Sequence, residues 1–211
     1  AGGDPRVALR RRAGRFACDD RERRAAEPVR PCLHGSKRRP LLPDGRLGAP
    51  VVSASSGNTP FGFDVTPSND VIVSEAGSAA VSSYALGAGG TLGVVTASLS
   101  TGGRAPCWLI ATADGRYAYT ANAGTGTITG FAVSSDGHLS LLTAGGATGV
   151  TGAGSTPLDL DLAAHDRLLY VLESGAGAVG GFAVGADGGL TPIGTAPAGA
   201  PASGLQGLAA Y

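Results

Sequence analysis

Short apolar runs recur along the chain from about residue 60 onward, separated by stretches rich in Gly, Asp, Ser and Thr. Runs such as 117–120 and 168–172 are too short for helices and are rich in aromatic, branched and aliphatic residues, as β-strands are. Their apolar positions are nearly continuous rather than alternating, which indicates strands covered on both faces. The pattern predicts an all-β protein made of short, mostly buried strands.

These runs fall into three repeated units, and each unit opens on a proline. The opening prolines lie 46 and 51 residues apart, at Pro60, Pro106 and Pro157. The third run of each unit carries an aromatic residue 24 or 25 positions after its proline: Tyr84, Phe131 and Phe182. A period in the high forties, with four short β-rich runs per unit, is typical of the blades of a β-propeller.

Turn signals and flanking runs extend this pattern. Asp-Gly pairs at 114–115, 136–137 and 187–188 predict tight turns between adjacent strands of a meander. Residues 44–47, followed by 51–52, predict the last turn and outer strand of a preceding blade, and residues 205–211 predict one more strand. We therefore predict a partial β-propeller over residues 44–211, with about three full blades of four antiparallel strands plus flanking strands.

Residues 1–43 have a different composition, dominated by Arg and Pro without any sustained apolar period. Residues 1–50 hold 13 basic and 6 acidic residues, a net charge of +7, whereas the rest of the chain has a net charge of −7. We expect an irregular segment, either disordered for lack of apolar residues or translated out of frame from GC-rich DNA. A basic arm for nucleic acid is disfavoured, because acidic residues interrupt the run and Phe16 is its one aromatic residue.

No stretch of the sequence indicates a membrane span or a leader. There is no run of 18 or more apolar residues and no apolar segment of a signal peptide near the start. The chain contains no Met and begins with Ala1, so we expect a processed product, a fragment or a conceptual translation. The sequence therefore leaves localisation open between the cytoplasm and secretion.

We expect no metal ion and no cofactor. Cys18, Cys32 and His34 lack the closely paired spacing of zinc ligands, and Cys107 lies in an apolar run as a small hydrophobic residue. The glycines of 175–180 match a dinucleotide motif by letter, but a strand follows them where that motif needs a helix. No Gly-x-Ser-x-Gly motif of a serine hydrolase occurs.

Several other polar residues have simple interpretations. Asp159 and Asp161 share one face of a strand, where they contact a cation or line a water-filled funnel. A single pair of acids does not make a calcium site. Four further residues fall in turns and are predicted to be solvated: Arg116, His138, His165 and Arg167.

Residues 106–142, PCWLIATADGRYAYTANAGTGTITGFAVSSDGHLSLL, resemble the lactonase family of seven-bladed propellers, which includes phosphogluconolactonase and carboxymuconate cyclase. The resemblance implies that this chain corresponds to the C-terminal part of such a propeller. A complete protein would carry about three further blades before residue 44. The activity that the resemblance implies is hydrolysis of a sugar or muconate-type lactone, with a small-molecule lactone as partner.

The family's catalytic positions are not reproduced. In the phosphogluconolactonase branch an Arg follows the opening proline of one blade, and a Glu follows the Asn that closes the next strand. The corresponding places here hold Phe61 and Ala76 in the first unit, Cys107 and Ala123 in the second, and Leu158 and Ser174 in the third. Glu75 and Glu173 stand instead where the second unit has Asn122.

One polar cluster remains as a candidate site. A lactone hydrolase needs a base for water and a positive group for the developing oxyanion. Glu75 and Glu173 lie at matching strand ends, and Arg104 lies just before the inner strand of the second unit. These three are the candidate catalytic residues. The alternative is that they are polar caps of strand ends, in a non-catalytic propeller that serves as a binding or scaffold module.

The partners follow from the same reasoning. We expect neither nucleic acid nor membrane as a partner. An incomplete ring exposes blade edges, and unpaired strand edges associate with one another, so we expect the chain to self-associate.

Overall fold

The computed structural model describes residues 51–199 and 205–210, together with the backbone of two short strands before them. These two strands, Cys32–His34 (β1) and Lys37–Arg39 (β2), form a small antiparallel sheet with Val51–Val52 (β3). A strand is present at 51–52, as expected, and it pairs with β2. That it is the outer strand of a preceding blade stays a prediction. Cys18 and the expected turn at 44–47 lie outside the described residues, so the boundary at residue 43 stays a prediction.

Three antiparallel meanders follow, each with its strands in sequence order. The first blade consists of Pro60–Val65 (β4), Asp70–Glu75 (β5), Ala80–Leu86 (β6) and Leu92–Ser100 (β7), with a short 3₁₀-helix at Ala88–Gly90. The second consists of Pro106–Ala111 (β8), Tyr117–Asn122 (β9), Thr127–Val133 (β10), Leu139–Leu141 (β11) and Ala147–Val150 (β12). The third consists of Pro157–Ala163 (β13), Leu168–Glu173 (β14), Ala178–Val184 (β15) and Leu190–Pro197 (β16).

The three predicted units are therefore three blades of an all-β partial propeller, which confirms the predicted fold class. The second blade departs from the simple pattern, because its outer position is shared by two short strands, β11 and β12, that both pair with β10. Among the described residues no helix is long and apolar enough to cross a bilayer.

The hydrophobic core lies between successive blades rather than within one sheet. Ile72 and Val81 of the first blade pack with Leu109 and Phe131 of the second. A second cluster joins the second blade to the third, and includes Tyr119, Ile128, Leu160, Val171 and Phe182. Middle strands therefore bury both faces against neighbours, which explains why their apolar residues run continuously in the sequence.

The predicted Asp-Gly turns are present. Gly115, Gly137 and Gly188 have φ angles of 72°, 81° and 79°, a region that favours glycine because it has no Cβ. Each glycine amide donates a hydrogen bond back to the carbonyl three residues earlier: Thr112, Ser134 and Gly185. These turns lie at the end of the blades opposite to the opening prolines.

The C-terminal segment is not the strand that the sequence predicts. Residues 205–210 have no regular secondary structure, yet they pack against the third blade with Leu208 fully buried. The amide of Leu208 donates to Asp159 Oδ2 (2.8 Å) and that of Ala210 to Asp161 Oδ2 (3.0 Å). Side-chain carboxylates, rather than a neighbouring main chain, therefore hold this segment in place.

The interpretation that Asp159 and Asp161 line a funnel or contact a cation is wrong. Their exposed fractions are 1% and 2%, and both carboxylates accept hydrogen bonds from main-chain amides. The described residues contain no group of three or more side chains suited to hold a metal ion. The two acids are structural anchors.

Candidate functional site

The candidate site lies where each second strand ends beside the opening proline of its blade. Glu75 pairs with Pro60, Asn122 with Pro106 and Glu173 with Pro157. The turn after each second strand is bonded to the segment before each first strand, through Ala76 to Thr59, Ala123 to Ala105 and Ser174 to Thr156. We call this end of the blades the proline end. It carries all three residues that the sequence predicts to be catalytic.

A repeated backbone feature shapes the proline end. The residues before the three opening prolines are Thr59, Ala105 and Thr156, with φ angles of 56°, 51° and 47°. This left-handed region is unfavourable for residues with a side chain, above all for a branched one such as threonine. In each blade the same residue's carbonyl accepts the amide of the turn after the second strand, at 2.9–3.1 Å. The strained turn therefore fixes the loop beside each candidate position.

Glu75 is fully buried in a dense set of hydrogen-bond donors. Its Oε1 accepts four hydrogen bonds and its Oε2 one, from residues 55–57 just before the first blade and from β6 and β7 within it. The donors are Ser55 Oγ (2.9 Å), the Gly57 amide (2.7 Å), Ser82 Oγ (2.8 Å), Tyr84 Oη (3.3 Å) and Ser98 Oγ (2.7 Å). Burial acts to raise the pKa of Glu75, but the hydrogen bonds from Ser98, Ser82, Ser55 and Gly57 outweigh it and lower the pKa.

Asn122 holds the equivalent position in the second blade. Its Nδ2 donates to Thr129 Oγ1 (2.8 Å) and Thr127 Oγ1 (3.2 Å). Within the described residues its Oδ1 is the one buried side-chain nitrogen or oxygen that has no hydrogen-bond partner. An amide therefore replaces the carboxylate here and joins two threonines of β10.

Glu173 holds the same position in the third blade, with only 5% of its surface exposed. Residue 180 lies where the first blade has Ser82 and the second Thr129, but it is a glycine. A Cβ at Gly180 would overlap with Oε1 of Glu173, so the carboxylate fills the space that a hydroxyl-bearing side chain would need. No hydrogen bond from another described residue to this carboxylate is formed, and burial raises its pKa.

Arg104 lies in the segment before β8 and is exposed. Its Nη2 donates to the carbonyl of Gly124 (3.3 Å), and its amide to Thr125 Oγ1 (3.3 Å). In the described part of the chain no hydrogen bond or ion pair joins Arg104, Glu75 and Glu173. The structure thus places the three residues at one end of three successive blades without direct contact, and their catalytic role stays a prediction.

The residues predicted to be solvated turn residues are exposed, as expected. Arg116 Nε contacts Asp114 Oδ2 at 2.6 Å, with both side chains about half exposed or more. The amide of Arg116 and the hydroxyl of Thr112 lower the pKa of Asp114 to about 2, with a smaller contribution from the guanidinium. The remaining turn residues, His138, His165 and Arg167, are also exposed. Cys107 is half-buried, and burial raises the pKa of its thiol.

An aromatic pair on the first strands was not predicted as a site. Phe61 of β4 and Trp108 of β8 meet edge to face, with ring centroids 5.4 Å apart and ring planes at 64°. Both remain exposed, with exposed fractions of 49% and 36%. The two residues lie 47 positions apart in the sequence, and only the packing of one blade on the next brings them together.

Four-stranded meanders packed face to face, with their first strands closest together, define a protein of the β-propeller class. Residues 67–157 match the family model described as lactonase, 7-bladed beta-propeller. The match confirms, over these residues, the resemblance predicted from the sequence. Among curated proteins, none matches the chain.

Solved structures share the fold. A periplasmic gluconolactonase from Pseudomonas aeruginosa superimposes with a TM-score of 0.63 at 23% identity, over 78% of this chain and 51% of the other. A protein from Lactobacillus plantarum gives a TM-score of 0.60 at 24% identity, over 76% and 50%. A candidate 6-phosphogluconolactonase from Bacteroides uniformis gives 0.60 at 16% identity, over 82% and 57%. The chain thus spans about half the length of these proteins, and at such identities the likeness shows the fold alone.

Proposed function

We propose that this chain is part of a lactone hydrolase, an enzyme that uses water to open the ring of a sugar lactone. The family match over residues 67–157 carries the proposal, and the match includes Glu75 and Arg104. The gluconolactonase from Pseudomonas aeruginosa supports a sugar lactone as the substrate class. The finer assignment of roles rests on the different surroundings of the two glutamates.

In the proposed reaction Glu173 acts as the general base. A water oxygen attacks the lactone carbonyl carbon, and the carboxylate of Glu173 takes the water proton. The ring C–O bond then breaks, and the same proton passes to the departing ring oxygen, which becomes a hydroxyl group of the open-chain acid. A carboxyl with a raised pKa suits this step, because it holds a proton more readily than a solvated one.

Arg104 is proposed to stabilise the negative charge that develops on the carbonyl oxygen. It is an exposed cation at the proline end, tethered to Gly124 by one hydrogen bond that leaves its other donors for a ligand. Glu75 has a different proposed role. Its carboxylate is occupied by five donors, so we assign it to holding the segment of Ser55 and Gly57 in place rather than to proton transfer.

The test is hydrolysis of gluconolactone by the 211-residue chain, followed at constant pH by titration of the released acid. Glu173→Gln should lower kcat about 100- to 10,000-fold, the usual contribution of a general base. Arg104→Ala should lower kcat about 100-fold or more, as loss of an oxyanion donor does. Arg167→Ala is the matched control, since this exposed arginine lies in the turn between β13 and β14, at the opposite end of the blade. Full activity in Glu173→Gln would contradict the role of this residue.

A second candidate function is a non-catalytic propeller used as a binding or scaffold module. The surroundings of Glu75 favour this function, because its buried carboxylate already accepts hydrogen bonds from the protein and so has a structural role. One fold supports many functions, so family likeness alone does not decide between the two. If the chain binds gluconolactone but does not hydrolyse it, this second candidate would be favoured.

A further inference from the structure

The exposed pair Phe61 and Trp108 occupies a distinctive place in the propeller. Both residues lie on first strands, β4 and β8, close to the opening prolines Pro60 and Pro106. Neighbouring blades contact one another more through their first strands than through their outer strands. First strands therefore lie nearest to the axis around which the blades are arranged. The aromatic pair is thus on the inner side of the proline end.

The backbone that carries the two rings is held firmly. Ser74 Oγ donates its hydrogen to the carbonyl of Cys107 (2.5 Å), with the carbonyl of Gly62 also within 3.2 Å, and it accepts from the amide of Gly62 (2.9 Å). Thr120 Oγ1 donates to the carbonyl of Trp108 (3.0 Å). One buried hydroxyl therefore links β4, next to Phe61, to β8, next to Trp108. The rings are placed before any ligand arrives, which reduces the entropy lost on binding.

The exposure of these rings differs from that of the other exposed apolar side chains. The other large ones among the described residues are aliphatic and lie on outer strands or on β3: Val52, Val94, Val150 and Ile193. The two adjacent rings meet at an edge-to-face angle, and each residue has about a third or more of its surface exposed. The face of an aromatic ring is electron-rich. Such a face attracts partially positive C–H groups as well as cations.

We infer that Phe61 and Trp108 form the surface on which the ring of a sugar lactone stacks, an inference that rests on the proposed function. One face of a six-membered sugar ring presents mainly C–H groups, and its edge presents hydroxyl groups. Stacking places the ring near the axis, at the same end of the blades as the exposed Arg104. The open-chain acid has no flat face to stack, so the pair selects the substrate over the product and assists product release.

The test uses the fact that Trp108 is the only tryptophan in the chain. Its fluorescence, excited at wavelengths that the five tyrosines do not absorb, therefore reports this surface. The probe is gluconolactam, a ring in which nitrogen replaces the ring oxygen and which water does not open, and open-chain gluconate is the comparison. We expect a saturable change in Trp108 emission with gluconolactam, and binding at least about 3-fold weaker for gluconate.

Variants separate stacking from general apolar contact. Phe61→Ala should weaken gluconolactam binding about 3- to 10-fold, the size of a typical aromatic contact. Trp108→Ala, measured by calorimetry, should do the same, whereas Trp108→Phe should recover most of the affinity. Ile193→Ala removes an exposed apolar side chain of β16 and should leave affinity unchanged. Since these side chains are exposed, the variants should keep the fold, which circular dichroism checks.

The outcomes also separate this inference from the proposed function. Unchanged emission at concentrations where calorimetry detects gluconolactam binding, or no binding by either method, would overturn the stacking surface. Hydrolysis of gluconolactone with unchanged KM in both alanine variants would overturn it while leaving the hydrolase in place. Binding that perturbs Trp108 in a protein without hydrolytic activity would support the surface and contradict the proposed function.

Discussion

At the scale of single residues, the side chain at the end of the second strand has different hydrogen-bond partners in each of the three blades. Glu75, Asn122 and Glu173 are equivalent, and the residue seven positions later is a serine, a threonine and a glycine in turn. The hydroxyl at that place donates to Glu75 in the first blade and accepts a hydrogen bond from Asn122 Nδ2 in the second. Its absence in the third leaves Glu173 buried without such a donor. The repeat is therefore regular in backbone and variable in polar chemistry.

This difference predicts opposite effects of the same substitution on stability. Glu75→Gln should lower the free energy of unfolding at pH 7 by about 1.5–3 kcal/mol, because it removes hydrogen bonds to a buried charged group. Glu173→Gln should leave it unchanged or raise it by up to about 1 kcal/mol, because it removes a buried charge that lacks such bonds. Urea unfolding of the 211-residue chain measures both.

The pH dependence distinguishes the two glutamates further. The folded-state pKa of Glu75 is lowered from 4.5, so its stabilising contribution is present above pH 4.5 and is lost as the pH falls through the lower folded value. The folded-state pKa of Glu173 is raised from 4.5, so the cost of its charge appears as the pH rises through that raised value. The two variants should therefore differ most near pH 7 and converge in acid. Equal destabilisation by both substitutions at pH 7 would contradict these roles.

At the scale of elements, carboxylates on the first strands of the first and third blades join each of these blades to what packs next to it. Asp64 Oδ2 of β4 accepts the amide of Ala111 at the end of β8, at 2.9 Å. Asp161, at the equivalent place in β13, accepts the amide of Ala210. Residues 205–210 therefore lie against the third blade as β8 lies against the first. The segment occupies the position that the first strand of a next blade would have, although it has no regular secondary structure.

Removal of these carboxylates should release the C-terminal segment. In Asp159→Ala combined with Asp161→Ala, the amides of Leu208 and Ala210 lose their acceptors, each contributing about 1.5–3 kcal/mol as a bond to a charged group. Hydrogen exchange at these two amides should become at least about 10-fold faster, while exchange in β9 stays unchanged. Asp136→Ala, in an exposed turn, is the control. Retained protection of both amides would show that packing of Leu208 alone holds the segment.

At the scale of the whole molecule, the chain provides three blades and spans about half the length of the similar structures. Outer strands β7 and β16 carry exposed apolar side chains, including Val94 (57%) and Ile193 (54%). Unpaired strand edges and apolar faces associate readily. We therefore propose that the 211-residue chain self-associates.

Light scattering tests this proposal directly. The wild-type chain should have a mass of a dimer or more that rises with concentration. Val94→Lys combined with Ile193→Lys should shift the distribution toward the monomer, because lysine on an edge strand opposes edge-to-edge pairing. Val52→Lys is a control outside the blades. A monomeric wild-type mass at all concentrations would contradict the proposal.

The sequence by itself determined the blades, because short apolar runs, opening prolines and Asp-Gly turns are local signals that recur at a fixed period. It also determined that Glu75, Asn122 and Glu173 are equivalent, since equivalence follows from the same spacing. The sequence did not predict the left-handed backbone of the residues before the prolines. Thr59 and Ala105 are not residue types that favour this conformation, and the turn around them imposes it.

Only the tertiary structure decided the chemistry of these positions. Glu75 is held by Ser55 and Ser98, which lie 20 residues before and 23 residues after it, so its five donors meet only when the blade folds. Phe61 meets Trp108 only when one blade packs on the next, and residues 205–210 are fixed by acids almost fifty positions away. Periodicity defines which residues are equivalent, but burial and hydrogen bonding depend on neighbours distant in sequence, and these decide what each equivalent residue does.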